Sequence, residues 1–226
     1  MRNLELPQPS SNLSSGQVGA QAGWEGRIKR VIDVLISLCV LLWTLPLMGV
    51  VTVLLLADEG EPVLFKQKRV GRGGRVFWMY KFRTLRLFSG GESDRRYHRP
   101  TPFGRFLRLS GLDELPQLIN VLRGDMSLVG PRPERPELVE EFTRRLPAYP
   151  KRHEVQVGVT GWAQVNGFWG ATSLRERLHH DLEYVERWST GLDFAIMLRT
   201  VSSVIRRLGA RYELAEFHQD SRPRME

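Results

Sequence analysis

The sequence predicts an α+β fold, mostly helical, in which one membrane-inserted helix carries a globular domain with a small β-hairpin. Three observations lead there. A nearly unbroken apolar run fills residues 31–57, with Asp33 its only charge. Two short segments of strand composition then flank the turn Gly71-Arg72-Gly73-Gly74. Beyond them, apolar residues recur at the spacing of amphipathic helices rather than of strands.

Taken in order, residues 1–25 are rich in Ser, Gln, Gly and Pro and lack an apolar period, so they read as a disordered tail. No basic start leads into an apolar stretch, so they do not resemble a signal peptide. The membrane helix is expected over 26–58. Its apolar part, at about 1.5 Å per residue, reaches roughly 40 Å as a straight helix, against a hydrocarbon core of about 30 Å. Pro46 near its middle removes one backbone hydrogen bond and bends the helix, and Thr44 is placed to offer a hydroxyl to the freed groups. Basic residues flank both ends: Arg27, Lys29 and Arg30 before, and Lys66, Lys68, Arg69, Arg72 and Arg75 after. Positive charge marks the cytoplasmic side. The residues therefore allow either a kinked span or a helix that enters, bends at Pro46 and returns to the same face.

After Asp58 the pattern predicts strands over 62–68 and 75–82, and a polar loop over 88–100. Leu115, Leu118, Ile119 and Leu122 have helical spacing, with Gly124 as the C-cap. Further helices are expected over 138–146 and around Leu174, Leu178, Leu182, Val185 and Trp188. A last one carries Phe194, Met197, Leu198, Val201, Val204, Ile205 and Leu208 on one stripe. That helix suits either the headgroup layer or a soluble core. The globular domain spans 59–210, and 211–226 form a polar C-terminal tail.

The formal net charge of +8 calls for anionic partners: nucleic acid, an anionic membrane surface or phosphorylated substrates. Cys39, the only cysteine, rules out an intrachain disulfide and a cysteine-built zinc site.

Asp113 and Glu114 precede Pro116 and the apolar helical stripe. They are read either as ordinary helix capping or as carboxylates at an anion-friendly helix end. In Gly130-Pro131-Arg132-Pro133-Glu134, Pro131 and Pro133 stiffen the backbone around Arg132, whose planar fork suits phosphate. Lys81 and Arg83 end the second strand, and Arg105 and Arg108 precede the acidic pair. Carboxylates for a divalent cation beside several arginines are what phosphoryl transfer requires. A membrane-anchored nucleic-acid binder, using Trp78, Tyr80 and Phe82 beside its basic residues, and a scaffold without catalysis are the alternatives.

Together these segments resemble the catalytic domain of the monotopic phosphoglycosyl transferases, the bacterial sugar transferase family. The likeness runs from about Lys29 to Arg207. It includes Lys29-Arg30-Val31-Ile32-Asp33, Phe65-Lys66-Gln67-Lys68-Arg69-Val70-Gly71, Tyr80-Lys81-Phe82-Arg83-Thr84 and Leu112-Asp113-Glu114-Leu115-Pro116-Gln117-Leu118. It continues with Asp125-Met126-Ser127-Leu128-Val129-Gly130-Pro131-Arg132-Pro133 and closes with Thr160-Gly161-Trp162-Ala163-Gln164-Val165-Asn166-Gly167.

The resemblance implies a re-entrant membrane hairpin broken at a proline, interfacial amphipathic helices, and a catalytic domain on the cytoplasmic face of the bacterial inner membrane. It implies transfer of a sugar-1-phosphate from a UDP-sugar to a polyprenol phosphate, with release of UMP. Asp113 would be the nucleophile, and Glu114 would help hold Mg²⁺ and move protons. Lys81, Arg108 and Arg132 would be active-site cations, with Arg83, Pro131 and Pro133 beside them. Gln164 and Asn166 would serve the nucleotide-sugar, and Asp181 matches a further acid of that family. Nucleic acid is not an expected partner; membrane lipids are, and a homodimer stays open. Two departures stand out: Val157 replaces a usual proline, and Phe168-Trp169 follow where an arginine is usual. Larger members carry several transmembrane helices before this domain, where this sequence has its polar tail.

Overall fold

The structure, a computed structural model, describes residues 23–86, 100–168, 170 and 172–209. The expected polar loop over 88–100 (except Pro100), most of the N-terminal tail and the C-terminal tail fall outside the described residues.

A helix satisfies its own backbone hydrogen bonds without neighbouring strands, and α1 (Trp24–Glu59) is one continuous helix of 36 residues even across the β-branched run Val50-Val51-Thr52-Val53. Among the described residues it is the helix long and apolar enough to cross a membrane. Pro46 lies inside it. The Thr44 hydroxyl donates to the Val40 carbonyl at 2.7 Å. The carbonyl that Pro46 leaves without its helical partner is that of Leu42, so this hydroxyl caps a neighbouring turn instead of filling the gap.

Both ends of α1 rest on the same globular domain. Near its start, Lys29 Nζ donates to Val129 O and pairs with Asp193. Arg30 donates through both Nη atoms to Val121 O and Leu122 O, placing its positive charge on the carbonyl end of a short helix. The Asp33 carboxylate accepts from Leu128 N. Near the far end, Val51 and Leu55 are buried against Phe82 and Leu107, and Arg83 donates to Gly60 O and Glu61 O just past the C-cap. Between these anchors, buried Ser37 and Thr44 continue the stripe of Asp33, Val51 and Leu55. The rest is bare apolar surface: Leu35, Leu38, Leu42, Leu45, Leu47 and Val50 are exposed, and Trp43 is 85% exposed.

The hairpin forms as expected, with strands β1 (Leu64–Val70) and β2 (Val76–Phe82) antiparallel around the turn. Next comes α2 (Pro102–Ser110), which the apolar period did not single out. Its start carries a signature all the same: Thr101 accepts from Gly104 N and Pro102 takes the first helical position. Gly104 lies flat against the Thr84 backbone, where a Cβ would collide with Thr84 O, and this close approach seats α2 on the end of β2.

The stripe after Pro116 becomes α3 (Gln117–Arg123), closed by Gly124 at φ 91°. Asp113 and Glu114 lie one step earlier than expected, in a 3-10 turn over Leu112–Glu114, and neither caps a helix with its side chain. Asn120, fully buried, ties α3 to the hairpin: its Nδ2 donates to Trp78 O and its Oδ1 accepts from Tyr80 N.

Strands β3 (Ser127–Val129) and β4 (Gly158–Thr160) pair in parallel. They are too short to show a period. A Cβ on Gly158 would strike Gly130 N, so the glycine lets β4 abut the Pro131-Arg132-Pro133 segment. The remaining helices are α4 (Pro136–Arg145), α5 (Trp162–Val165), α6 (Leu174–Arg187) and α7 (Thr190–Gly209). Ile196 of α7 packs in a core with Val129, Tyr184 and Trp188. Phe194, Leu198 and Val201 on its other side are exposed, so α7 is both a core helix and a source of bare apolar surface.

Candidate active site

Four elements bring their charged side chains to one place. Lys81 comes from the end of β2, Glu114 and Asp113 from the 3-10 turn, Arg132 from the segment after β3, and Arg108 from the last turn of α2. Glu114 Oε1 accepts from Lys81 Nζ at 2.6 Å and from Arg132 Nη2 at 2.6 Å. Arg132 Nη1 adds a longer contact to Oε2 at 3.4 Å, so the guanidinium faces the carboxylate as a fork. Arg108 is held from behind, its Nε donating to Thr84 Oγ1 at 2.7 Å. The cluster is open on one side, since 31% of the Arg132 side chain and 22% of Glu114 remain exposed.

The two adjacent carboxylates are driven apart. Burial opposes ionisation of Glu114, but the charges and hydrogen bonds of Arg132 and Lys81 outweigh it and hold its carboxyl well below the usual range. Asp113 goes the other way: burial, then the Glu114 charge, push it up to about 6 against the pull of Lys81, Arg108 and Arg132. Among the described residues the Asp113 side chain makes no hydrogen bond or ion pair. Unequal neighbours of this kind mark a division of roles between paired acids. Glu114 is the anion held between two cations, and Asp113 is the carboxylate left unengaged.

The donor set also bears on a metal. Among the described residues no three His, Cys, Asp or Glu side chains gather as a metal cage. Two hard carboxylates with one unengaged fit Mg²⁺, which takes one or two carboxylates and completes its shell with water and substrate phosphates.

The other expected site residues lie further out. Pro131 and Pro133 flank Arg132 and turn their carbonyls to Gly158 N and Arg69 Nη1. Arg83 points away from the carboxylates to the end of α1. Asp181 is buried and pairs with Arg152 at 2.6 Å. Gln164 donates to Val159 O at 3.3 Å while its Oε1 is buried without a partner, and Asn166 donates to Trp162 O on the surface. Neither Gln164 nor Asn166 makes a hydrogen bond or ion pair to a residue of the cluster. Sequence reasoning missed Thr84, Arg152, and the pairing of Arg69 and Arg177 with Glu134. None of these lies on a periodic stripe. Arg69 and Thr84 lie inside blocks that carry the family resemblance and Glu134 beside one, while Arg152 and Arg177 lie outside them and carried no signal.

A family model described as bacterial sugar transferase matches residues 24–207. A UDP-glucose:undecaprenyl-phosphate glucose-1-phosphate transferase of Xanthomonas campestris pv. campestris is 40% identical over 186 residues, covering 78% of this chain and 38% of its own. A protein of the same name from Caulobacter vibrioides is 40% identical over 185 residues, 78% of this chain and 69% of its own. The UDP-N-acetylgalactosamine-undecaprenyl-phosphate N-acetylgalactosaminephosphotransferase of Aeromonas hydrophila is 40% identical over 190 residues, 81% and 45%. The chain thus spans less than half the length of two of these three relatives.

Proposed function

The chain belongs to the bacterial sugar transferase family, and from that premise we propose that it transfers a sugar-1-phosphate from a UDP-sugar to a polyprenol phosphate, of the undecaprenyl class, and so initiates a surface glycan. The observation that carries this reading is the unengaged Asp113 carboxylate beside Lys81, Arg108 and the Glu114-bound Arg132.

Asp113 attacks the β-phosphorus of the donor; the bond from that phosphorus to the bridging oxygen breaks and UMP leaves. A sugar-phosphoryl aspartate remains. An oxygen of the polyprenol phosphate then attacks the same phosphorus, the aspartyl oxygen leaves as carboxylate, and the polyprenyl-diphosphate-sugar is formed. Lys81, Arg108 and Arg132 offset the charge on the phosphates and the departing UMP. Glu114, kept ionised, orients Lys81 and Arg132 rather than supplying a proton. Asp113 and Glu114 would hold Mg²⁺, which would neutralise phosphate charge when bound.

The acceptor is a lipid, so the site must lie at a membrane. We read α1 as re-entrant, bent at Pro46, with both ends on the cytoplasmic face. A straight span would separate its ends by the bilayer, yet Lys29, Arg30 and Asp33 at one end and Val51 and Leu55 at the other contact one domain. Exposed Phe106 on α2 and Phe194, Leu198 and Val201 on α7 supply apolar surface for the headgroup layer. The test is UMP release from a panel of UDP-sugars with detergent-solubilised protein, Mg²⁺ and undecaprenyl phosphate. Release that depends on the lipid supports the reading and names the sugar. No release from any donor by folded protein contradicts it.

A further inference from the structure

Four consecutive main-chain carbonyls around Arg132 are each held from outside the segment. Pro131 O accepts from Gly158 N at 3.0 Å and Glu134 O from Val70 N at 2.9 Å. Pro133 O accepts from Arg69 Nη1 at 3.1 Å. Arg132 O accepts from Arg152 Nη2 at 2.8 Å. The last contact is the telling one. Pro133 has no N–H, so the Arg132–Pro133 peptide offers only its carbonyl as a hydrogen-bonding handle, and Arg152 takes it.

Arg152 is itself fixed on every edge. Its Nε and Nη2 reach Asp181 Oδ2 at 2.9 and 2.6 Å, and its Nη1 donates to the Tyr149 hydroxyl at 2.8 Å. Both side chains of the pair are buried, 4% and 5% exposed, so neither is open to a ligand from solvent. A buried ion pair contributes little net stability, because desolvation offsets the attraction. What such a rigid fork does supply is geometry: one planar group links α6, the 149–153 turn and the peptide of Arg132, whose own guanidinium faces Glu114.

We propose that Arg152, set in place by Asp181 and Tyr149, is a positioning residue that fixes the Arg132 peptide and thereby aims its guanidinium at the phosphates of the donor. The inference rests on the phosphoryl-transfer reading above and assigns Asp181 its task. The two prolines restrict φ on either side; Arg152 removes the remaining rotation of the peptide plane. A displacement of about 1 Å at such a group costs on the order of 100-fold in rate.

The experiment is a double-mutant cycle on UMP release with Arg132→Lys, Arg152→Lys and the pair, all in the full chain. Arg152→Lys is expected to lower turnover by about 10- to 100-fold in the wild-type background and by less than about threefold when Arg132 is already lysine. Tyr149→Phe, a smaller change should Arg152→Lys fail to fold, is expected to show a weaker loss with the same dependence on Arg132. Equal losses in both backgrounds, or no loss from folded Arg152→Lys protein, overturn the proposal. If wild-type protein releases no UMP, the reading of the site falls. The same proteins then decide the inference by inorganic pyrophosphate binding: a loss that vanishes without Arg132 supports it, and an unconditional loss or no loss sinks it.

Discussion

Asp113 and Glu114 are sequence neighbours that the fold treats in opposite ways. Glu114 sits between Lys81 and Arg132 and stays ionised; Asp113 is buried beside that anion, and its carboxyl is pushed up to about 6. A carboxyl raised in the folded state stabilises the protein fully below its unfolded pKa and loses that contribution as pH rises through about 6. Ionised Asp113 therefore costs on the order of 3 kcal/mol at neutral pH. Asp113→Asn is expected to abolish UMP release while raising the melting temperature at pH 8, and the two proteins should converge near pH 4. A lower melting temperature for the variant at pH 8 would contradict this. In the wild type, kcat/KM should fall as pH drops through about 6, as the proposed nucleophile becomes protonated. Arg132→Lys, which keeps the charge and loses the fork, is expected to cut turnover about 100-fold; near-wild-type rates would remove Arg132 from the chemistry. At this scale Lys81, Asp113, Glu114 and Arg132 were legible as a basic–acidic constellation. Arg152 and Asn120 were not, because their work is to bond single backbone atoms far away in sequence, which leaves no pattern in composition or period.

At the scale of elements, sequence pattern located the long helices and the hairpin to within a few residues: an unbroken apolar run marked α1, strand composition about a glycine-rich turn marked the hairpin, and helical spacing marked the later helices. It passed over β3 and β4, three residues each, which exist because Gly130 and Gly158 permit close backbone approach. It passed over α2 too, although Thr101-Pro102 was a readable start. The block Lys29-Arg30-Val31-Ile32-Asp33 looked like a flank of positive charge, but its three charged members are specific docking groups for α3, β3 and α7. That docking yields a topological prediction. In a Cys39→Ala background, needed because Cys39 is exposed, Ala20→Cys should resist an impermeant thiol reagent applied from the periplasmic side of intact cells and react in inverted vesicles. Labelling from the periplasm would establish a simple span and refute the bend at Pro46.

For the whole molecule, the placement of the parts ties the apolar helix to the charged cluster. Both ends of α1 brace one domain, Arg30 on α3 and Val51 and Leu55 on β2 and α2, and the cluster of carboxylates and cations is built on those braced elements. On the proposed reading the exposed apolar middle of α1 reaches into the bilayer. Charge alone left nucleic acid, membrane and phosphates undistinguished; the convergence of Lys81, Arg108 and Arg132 on two carboxylates favours phosphates. The most direct test of the account is made without any acceptor lipid. Protein incubated with its UDP-sugar and Mg²⁺ should release about one UMP per active site in a single burst and gain one sugar-phosphate in intact mass, on the peptide containing Asp113, discharged when polyprenol phosphate is added. UMP release that requires the lipid from the first turnover, with no adduct on Asp113, would contradict the account and point to direct transfer between donor and acceptor.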